Sequence, residues 1–217
     1  VEADKLIVNH WAPDSACREV RDPSELARVK VQYGLRASQE YVLGFGAADP
    51  RKNTERILLS WKQLPKTLLD RYVLLLVGIQ DSAMSKFRSL ADKLELRSRC
   101  VLKGYAAEED LPALLSGAEA LCYPSLSEGF GLPILDAFVC QTPVLTSTTT
   151  SLPEVAGEAA VLVEPTDPAA IAGGLCKILE DKELREKLVR FGSARLENFT
   201  WEACVERVGR CFEEALE

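Results

Sequence analysis

Short apolar runs alternate along the chain with longer stretches in which apolar residues recur at helical spacing. The short runs contain few polar residues, which is typical of strands buried on both faces of a sheet. Their length of a few residues also fits strands better than helices. The predicted strands are Tyr41–Gly46, Tyr72–Gly78, Cys100–Gly104, Ala120–Tyr123, Pro143–Thr146 and Ala160–Val163.

Helical stretches separate and follow these strands, and this alternation predicts β-α-β units. The expected fold is a Rossmann-like three-layer α/β/α domain with a parallel, doubly wound sheet. The predicted helices are Asn53–Leu64, Ser82–Leu94, Glu108–Ser116, Pro133–Cys140, Pro153–Ala156, Pro168–Glu180, Lys182–Asn198 and Trp201–Leu216.

Several helix starts carry local signals. Ser151-Leu152-Pro153-Glu154 has the form of a capping box, with proline at the first helical position. Asp167 followed by proline predicts a second N-cap. Asp81 or Ser82 is expected to cap the helix after the second strand.

The first part of the chain is more polar and contains Pro13 and Pro23. Residues 1–40 are expected to form a connector with one short helix, Pro23–Tyr33. Residues 41–217 are expected to form the domain itself. A start at Val1 that resembles neither a signal peptide nor an initiator methionine suggests a domain of a longer protein.

Composition and charge exclude several classes of function. The net charge of −7 and the absence of long Lys/Arg stripes disfavour nucleic-acid binding. The chain contains no run of about 18 apolar residues, so the sequence predicts no transmembrane helix. The seven scattered cysteines predict reduced, buried thiols in a cytoplasmic protein. His10 is the only histidine and is expected to be a surface residue, so zinc sites and histidine-based triads have little support.

The loop after the first strand has the composition of a phosphate site. Gly44 and Gly46 allow the backbone to approach a ligand, and Arg51 and Lys52 place two cations near a helix N-terminus. The alternative is a turn with solvated charges. The match to the dinucleotide fingerprint is weak because Asp49 holds the place of the third glycine.

The loop after the fourth strand, Glu128-Gly129-Phe130-Gly131-Leu132-Pro133, leads into a helix that starts with proline. Two glycines here can turn successive N–H groups toward one point, where the helix dipole adds to an anion cradle. Because a carboxylate is a poor phosphate ligand, Glu128 fits better as an acceptor for sugar hydroxyls. After the third strand, Tyr105 could stack near a base or only pack against the next helix.

Asp136 stands eight positions after Glu128 and is the only ionisable residue from Gly129 to Cys140. An acid among apolar residues needs a partner, and we expect a ligand to supply it. A ribose offers two hydroxyl donors to one carboxylate. The alternative is that Asp136 only favours the first turn of its helix through the dipole.

These motifs, together with Pro124-Ser125 and Ser151-Leu152-Pro153-Glu154-Val155-Ala156-Gly157, resemble the retaining glycosyltransferases of family 4. The pair Glu128 and Asp136 resembles the E-x7-E motif of that family. The segments Val163–Pro168 and Asn198–Glu202 resemble its later strand end and closing helix. The resemblance covers about Tyr41 to the C-terminus, which corresponds to the donor-binding half of a GT-B fold.

The resemblance implies a role for each matching residue. Glu128 would hold hydroxyls of the donor sugar, and Lys52 would neutralise the diphosphate; both are the implied catalytic residues. Backbone N–H groups in the loop from Gly129 through Phe130 and Gly131 to Leu132 would meet the sugar or diphosphate. Asp136 would bind the ribose, and the Lys103–Tyr105 backbone would meet the base of a UDP-, GDP- or ADP-linked sugar.

Two positions depart from the family pattern. The second acid is usually Glu and here is Asp136, which is one methylene shorter. Many relatives carry an Arg a few residues before the lysine, where this chain has Ala47, with Arg51 adjacent to Lys52 instead. Neutralisation of the diphosphate would therefore depend on fewer positively charged side chains, or Arg51 would take the place of the missing arginine.

The resemblance implies retaining, metal-independent transfer in polysaccharide, lipopolysaccharide or glycolipid biosynthesis. No cofactor is expected, and the absence of a D-x-D motif fits a route without metal. The acceptor-binding N-terminal domain would be missing, so the chain alone is expected to be inactive or nearly so. Membrane contact is not evident. The open alternatives are a nicotinamide-dependent oxidoreductase domain and a non-catalytic nucleotide-binding module.

Overall fold

The computed structural model describes residues 6–216, in which six strands form one parallel sheet. The strands are β1 (Glu40–Phe45), β2 (Tyr72–Val77), β3 (Cys100–Leu102), β4 (Ala120–Tyr123), β5 (Val144–Ser147) and β6 (Ala160–Val163). Their spatial order is β3-β2-β1-β4-β5-β6, and every neighbouring pair is parallel. This confirms the predicted doubly wound sheet, because the order reverses direction between β1 and β4.

Helices cover both faces of the sheet and bury its apolar side chains in two clusters. They are α1 (Pro23–Gln32), α2 (Thr54–Lys62), α3 (Lys66–Arg71), α4 (Asp81–Lys93), α5 (Leu111–Ser116), α6 (Leu132–Val139), α7 (Leu152–Ala156), α8 (Pro168–Glu180), α9 (Lys182–Arg195) and α10 (Trp201–Leu216).

The helices differ from the sequence predictions at several places. The short helix α3 was not predicted, since its six residues are too few to show helical periodicity. The predicted helix from Glu108 starts as a 3-10 turn, and α5 begins only at Leu111. Neither Asp81 nor Ser82 caps α4, because the N-cap position is Gln80 and Asp81 lies within the first turn. The predicted Asp167 cap is confirmed, since its carboxylate accepts the Ala169 N–H at 2.8 Å.

Burial of the strands depends on their place in the sheet. The central strands β1, β2, β4 and β5 are almost fully buried, as predicted. The edge strands β3 and β6 are only half-buried, and Leu162 is exposed. Burial on both faces was therefore wrong for these two strands, because an edge strand has a neighbour on one side only.

The segment before β1 contributes to the core. Val20, Val29, Tyr33 and Leu35 are buried in the same cluster as Leu114 of α5. The connector therefore packs against the domain between Val20 and Leu35, and the boundary at residue 40 stays a prediction.

The loops after β1, β2 and β3 lie very close together at the carboxyl edge of the sheet. Gly78 has φ of +91°, and a Cβ at this position would lie 2.9 Å from the Gly46 carbonyl oxygen. The N–H groups of Gly78 and Ile79 donate to the carbonyls of Gly104 and Lys103 at 2.8 and 3.1 Å. Glycine at position 78 thus permits the approach that brings the three loops to one site.

All seven cysteines are free thiols, as predicted. Only Cys122, Cys140 and Cys204 are buried, so the prediction of buried thiols is wrong for the other four. Those four are partly exposed, although each has an apolar neighbour in the sequence.

Candidate functional site

A cavity of about 380 Å³ opens at the carboxyl edge of the sheet, beyond the ends of β1 and β2. Three predicted site residues, Gly46, Lys52 and Tyr105, line it. A second cavity of about 520 Å³ lies at the opposite edge, where Glu119 and Pro143 precede β4 and β5. Because ligands of open parallel sheets bind beyond the carboxyl ends of the strands, the first cavity is the candidate site.

Lys52 and Glu128 come from different loops and meet beside this cavity. Lys52 Nζ donates a hydrogen bond to Glu128 Oε1 at 2.7 Å. The Tyr123 hydroxyl donates to the same oxygen at 2.7 Å and accepts from Lys52 Nζ at 3.0 Å. The Glu128 side chain is 15% exposed and that of Lys52 is 32% exposed. The two predicted catalytic residues therefore form a partly buried ion pair.

The ion pair keeps Glu128 charged. Burial acts to raise the pKa of the Glu128 carboxyl, but hydrogen bonds from Lys52 and Tyr123 outweigh burial and hold that pKa below its ordinary value. Burial and the adjacent carboxylate raise the pKa of Tyr123. The phenol consequently stays protonated and remains a donor to Glu128.

Arg51 is engaged at the mouth of the site. Its guanidinium makes two hydrogen bonds to Asp49 Oδ2, at 2.6 and 2.9 Å, and its side chain is 70% exposed. Its carbonyl accepts the Leu126 N–H at 2.7 Å, which joins the loops after β1 and β4. A phosphate contact by Arg51 would require its side chain to leave Asp49, and it stays a prediction.

The loop that contains Glu128 is held by the segment after β5. Ser151 Oγ donates to the carbonyls of Glu128 and Phe130 at 3.1 and 2.7 Å. Thr150 Oγ1 accepts the Glu128 N–H at 3.2 Å. The predicted capping box is therefore wrong, because the Ser151 hydroxyl is used by this loop and does not cap α7.

The glycine loop presents N–H groups that have no protein partner. Within residues 6–216, the N–H groups of Phe130, Gly131 and Leu132 donate to no protein acceptor. Gly131 has φ of +118°, and Leu132 opens α6. These groups thus lie at the positive end of a helix dipole, which is the geometry that an anion cradle requires. Gly129 is exposed, with open space where a Cβ would stand.

Phe130 and His10 join an aromatic cluster that links the first described segment to the glycine loop. The Phe130 ring centroid lies 6.2 Å from that of His10 and 5.9 Å from that of Phe199. His10 Nε2 is also 2.7 Å from Glu154 Oε1. His10 is partly exposed, as a surface residue would be, but it also makes these contacts.

Asp136 contacts the N-terminal segment. Its Oδ1 accepts the Asp14 N–H at 3.0 Å, and one turn further along α6 the Cys140 thiol donates to the Arg18 carbonyl at 3.4 Å. Burial raises the pKa of Asp136, and the Asp14 N–H partly opposes this shift. We expected a ligand to supply the hydrogen-bond partner of the Asp136 carboxylate, but the backbone N–H of Asp14 supplies it in part. Ribose binding by Asp136 stays a prediction.

Tyr105 lies in the cavity wall and is 76% exposed. Its hydroxyl accepts a hydrogen bond from Gln80 Nε2 at 2.8 Å, while Gln80 Oε1 accepts the Ala48 N–H at 2.7 Å. Gln80 therefore connects the loops after β1 and β3. So exposed a ring packs little against its own protein, and its stacking on a base stays a prediction.

Sequence reasoning missed Asn53 and Tyr123 as site residues. Asn53 is 3% exposed, has φ of +59°, and its Nδ2 donates to the carbonyls of Pro124 and Pro165 at 2.9 and 2.7 Å. It thus fixes the backbone next to Lys52 against two other loops. An asparagine directly before a helix was an available signal, since this residue tolerates the left-handed conformation.

Among residues 6–216, no group of three or more His, Cys, Asp or Glu side chains could hold a metal ion. No helix in this part of the chain is long and apolar enough to cross a membrane.

Comparison with known proteins identifies the family that the chain matches. The sequence model of the family described as "Glycosyl transferases group 1" matches residues 27–195. O-antigen chain mannosyltransferase B of Escherichia coli is 38% identical over 202 residues, which cover 93% of this chain and 52% of that protein. The chain therefore spans about half the length of this curated relative.

Solved structures show the same fold. Sucrose-phosphate synthase from Thermosynechococcus elongatus matches 95% of this chain and 51% of its own, with a TM-score of 0.79 and 27% identity. Anabaena HepE, solved in complex with UDP and glucose, matches 94% of this chain and 55% of its own, with a TM-score of 0.79 and 19% identity.

The chain belongs to the group 1 glycosyltransferases and has the fold of one half of a GT-B enzyme. This confirms the resemblance at the level of group 1 glycosyltransferases and decides against a nicotinamide-dependent oxidoreductase domain. Membership of family 4 and the retaining mechanism stay predictions.

Proposed function

We propose that this chain is the donor-binding unit of a retaining, metal-independent glycosyltransferase that uses a nucleotide-diphosphate sugar. One observation carries the proposal: a lysine and a carboxylate meet at 2.7 Å beside a cavity at the carboxyl edge of the sheet. A cation suits a diphosphate, and a carboxylate suits sugar hydroxyls. In the part of the chain that the structure describes, the N–H groups of Phe130, Gly131 and Leu132, on the same loop as Glu128, have no protein acceptor.

Donor binding would separate this ion pair. Lys52 would turn to the diphosphate, and Glu128 would accept hydrogen bonds from the sugar. Among the described residues, the two hydrogen bonds to the Glu128 carboxylate, from Lys52 and Tyr123, both end on Oε1 and leave Oε2 unengaged. Asp136 would bind the ribose, although its Oδ1 is already used by the Asp14 N–H.

The chemical step requires stabilisation of charge on the departing diphosphate. Lys52, once it has turned to the diphosphate, and the N–H groups of Phe130, Gly131 and Leu132 would supply it. No side chain in this site is an evident general base. Retention would follow if the acceptor attacks from the face of departure and the leaving phosphate takes its proton.

The comparisons support a sugar nucleotide as ligand and suggest the sugar. HepE was solved with UDP and glucose, and the Escherichia coli relative is named as a mannosyltransferase of the O-antigen chain. We propose a mannosyl donor and a role in building a surface polysaccharide. Because the chain covers about half of that relative, we expect donor binding by this chain and transfer only together with an acceptor-binding half.

Calorimetric titration with GDP-mannose, UDP-glucose, ADP-glucose and NADH tests the proposal. We expect binding of one sugar nucleotide and none of NADH. Lys52→Ala should weaken that binding by about 1.5–3 kcal/mol, the scale of a charged hydrogen bond. Lys62→Ala is the matched control, since Lys62 also pairs with a glutamate, at 2.8 Å, but on an exposed surface. Equal affinities of the two variants would remove Lys52 from the site.

Glu128→Ala tests the sugar contact separately. It should reduce the preference for the sugar nucleotide over the bare nucleoside diphosphate, because only the former carries the hydroxyls that Glu128 would hold. An equal loss for both ligands would argue against a role in sugar binding.

A further inference from the structure

Tyr123 completes a closed ring of hydrogen bonds with the two charged residues of the site. Its hydroxyl donates to Glu128 Oε1 at 2.7 Å and accepts from Lys52 Nζ at 3.0 Å, while Lys52 donates to the same Oε1 at 2.7 Å. Lys52 Nζ also lies 5.2 Å from the centroid of the Tyr123 ring. The phenol therefore touches both charges at once.

The position of Tyr123 is fixed by the sheet. It is the last residue of β4 and is only 2% exposed. Its carbonyl accepts the Thr146 hydroxyl at 2.8 Å, and its ring meets Phe45 edge-on with centroids 6.1 Å apart. Lys52, in contrast, ends a 3-10 turn (Pro50–Lys52), and Glu128 lies on a loop. The Tyr123 hydroxyl is thus held in place by a strand, and it can fix the positions of the Lys52 and Glu128 side chains, which lie on less constrained elements.

A purely packing role would not need this hydroxyl. Phe45 packs against this ring without a hydroxyl of its own, and the Tyr123 ring alone would fill the same apolar space. The hydroxyl adds a donor for a carboxylate and an acceptor for an ammonium, which is the combination that orders an ion pair without neutralising either member.

We propose that Tyr123 is the positioning residue of the donor site. It holds the Glu128 carboxylate in place when Lys52 leaves Oε1 for the diphosphate, so that the carboxylate faces the sugar hydroxyls. This inference rests on the proposed function of the site. It assigns Tyr123 no contact with the reacting atoms.

The test compares Tyr123→Phe with the unsubstituted chain in calorimetric titrations of GDP-mannose and of GDP, or of the pair with the preferred base. The preference for the sugar nucleotide should fall by about tenfold, since the variant loses a hydrogen bond to a charged group. Tyr41→Phe is the matched control, because Tyr41 also loses one buried hydrogen bond, to the Leu114 carbonyl at 2.6 Å. That control should keep the preference within about twofold.

A double-mutant cycle separates positioning from a structural effect. In a Glu128→Gln background, Tyr123→Phe should change the preference by less than about twofold. A loss of similar size in both backgrounds would overturn the inference, as would an unchanged preference in the single variant. If the unsubstituted chain itself shows no preference for a sugar nucleotide, the proposed function fails, and the inference fails with it.

Discussion

Asn53 offers the sharpest test of how the site is held together. Its side chain joins three loops through hydrogen bonds to the carbonyls of Pro124 and Pro165, and both prolines are buried. Asn53→Ala removes both donors and leaves two buried acceptors without a partner. At about 1 kcal/mol for each lost hydrogen bond, this part of the change costs about 2 kcal/mol.

The backbone adds a second cost. Asn53 has φ of +59°, and alanine in the left-handed region costs about 1–2 kcal/mol. Asn53→Ala should therefore lower the free energy of unfolding by about 3–4 kcal/mol. Asn53→Gly removes the hydrogen bonds but tolerates this φ, so its loss should be close to the 2 kcal/mol of the hydrogen bonds alone.

Urea unfolding followed by circular dichroism measures all three proteins, and the linear extrapolation gives each free energy. Asn198→Ala is the control, because Asn198 makes one long hydrogen bond of 3.4 Å at an exposed position; its effect should stay within about 0.5 kcal/mol. A loss below about 1 kcal/mol for Asn53→Ala would refute the argument that this side chain braces the loops.

Three further substitutions test single features. Gly131→Ala should destabilise by about 1–3 kcal/mol in thermal or urea unfolding, because φ is +118° and a Cβ would lie 2.7 Å from Leu152 Cδ2. Asp136→Asn should stabilise the chain at pH 7: burial raises the folded-state pKa of this acid, so its charge is a cost that grows as pH rises above about 3.8 and vanishes below it. The free energies of unfolding of the variant and of the unsubstituted chain, compared at pH 3 and at pH 7, check this sign, since only pH 7 should show the stabilisation. Ser151→Ala should weaken sugar-nucleotide binding in calorimetry without abolishing folding; unchanged affinity would contradict its role in holding the loop.

The fold could be predicted because the sheet dominates the pattern. Central strands such as Leu74–Val77 are apolar on both faces, and no other placement buries them. Proline and aspartate mark helix starts, as Asp167 shows. The edge strands were harder, because exposure at Leu162 is set by the absence of a neighbour, which a local pattern does not contain.

The site could be predicted only as a set of loops. The topology brings Lys52 and Glu128 to one edge, but their mutual ion pair depends on side-chain geometry across loops. The use of Ser151 for the glycine loop, and of the Asp14 backbone for Asp136, depends on contacts between segments far apart in sequence. A local motif shows which hydrogen-bonding groups a residue has, but the packing of the loops determines which partners those groups find.

A crystal structure of the chain with its preferred nucleotide-diphosphate sugar tests the central claim most directly. We predict that the ligand lies in the cavity beside Tyr105, with Lys52 Nζ moved from Glu128 to a diphosphate oxygen and the Glu128 carboxylate on a sugar hydroxyl. A ligand bound at the opposite edge near Glu119, or one that leaves the 2.7 Å pair of Lys52 and Glu128 intact, would contradict it.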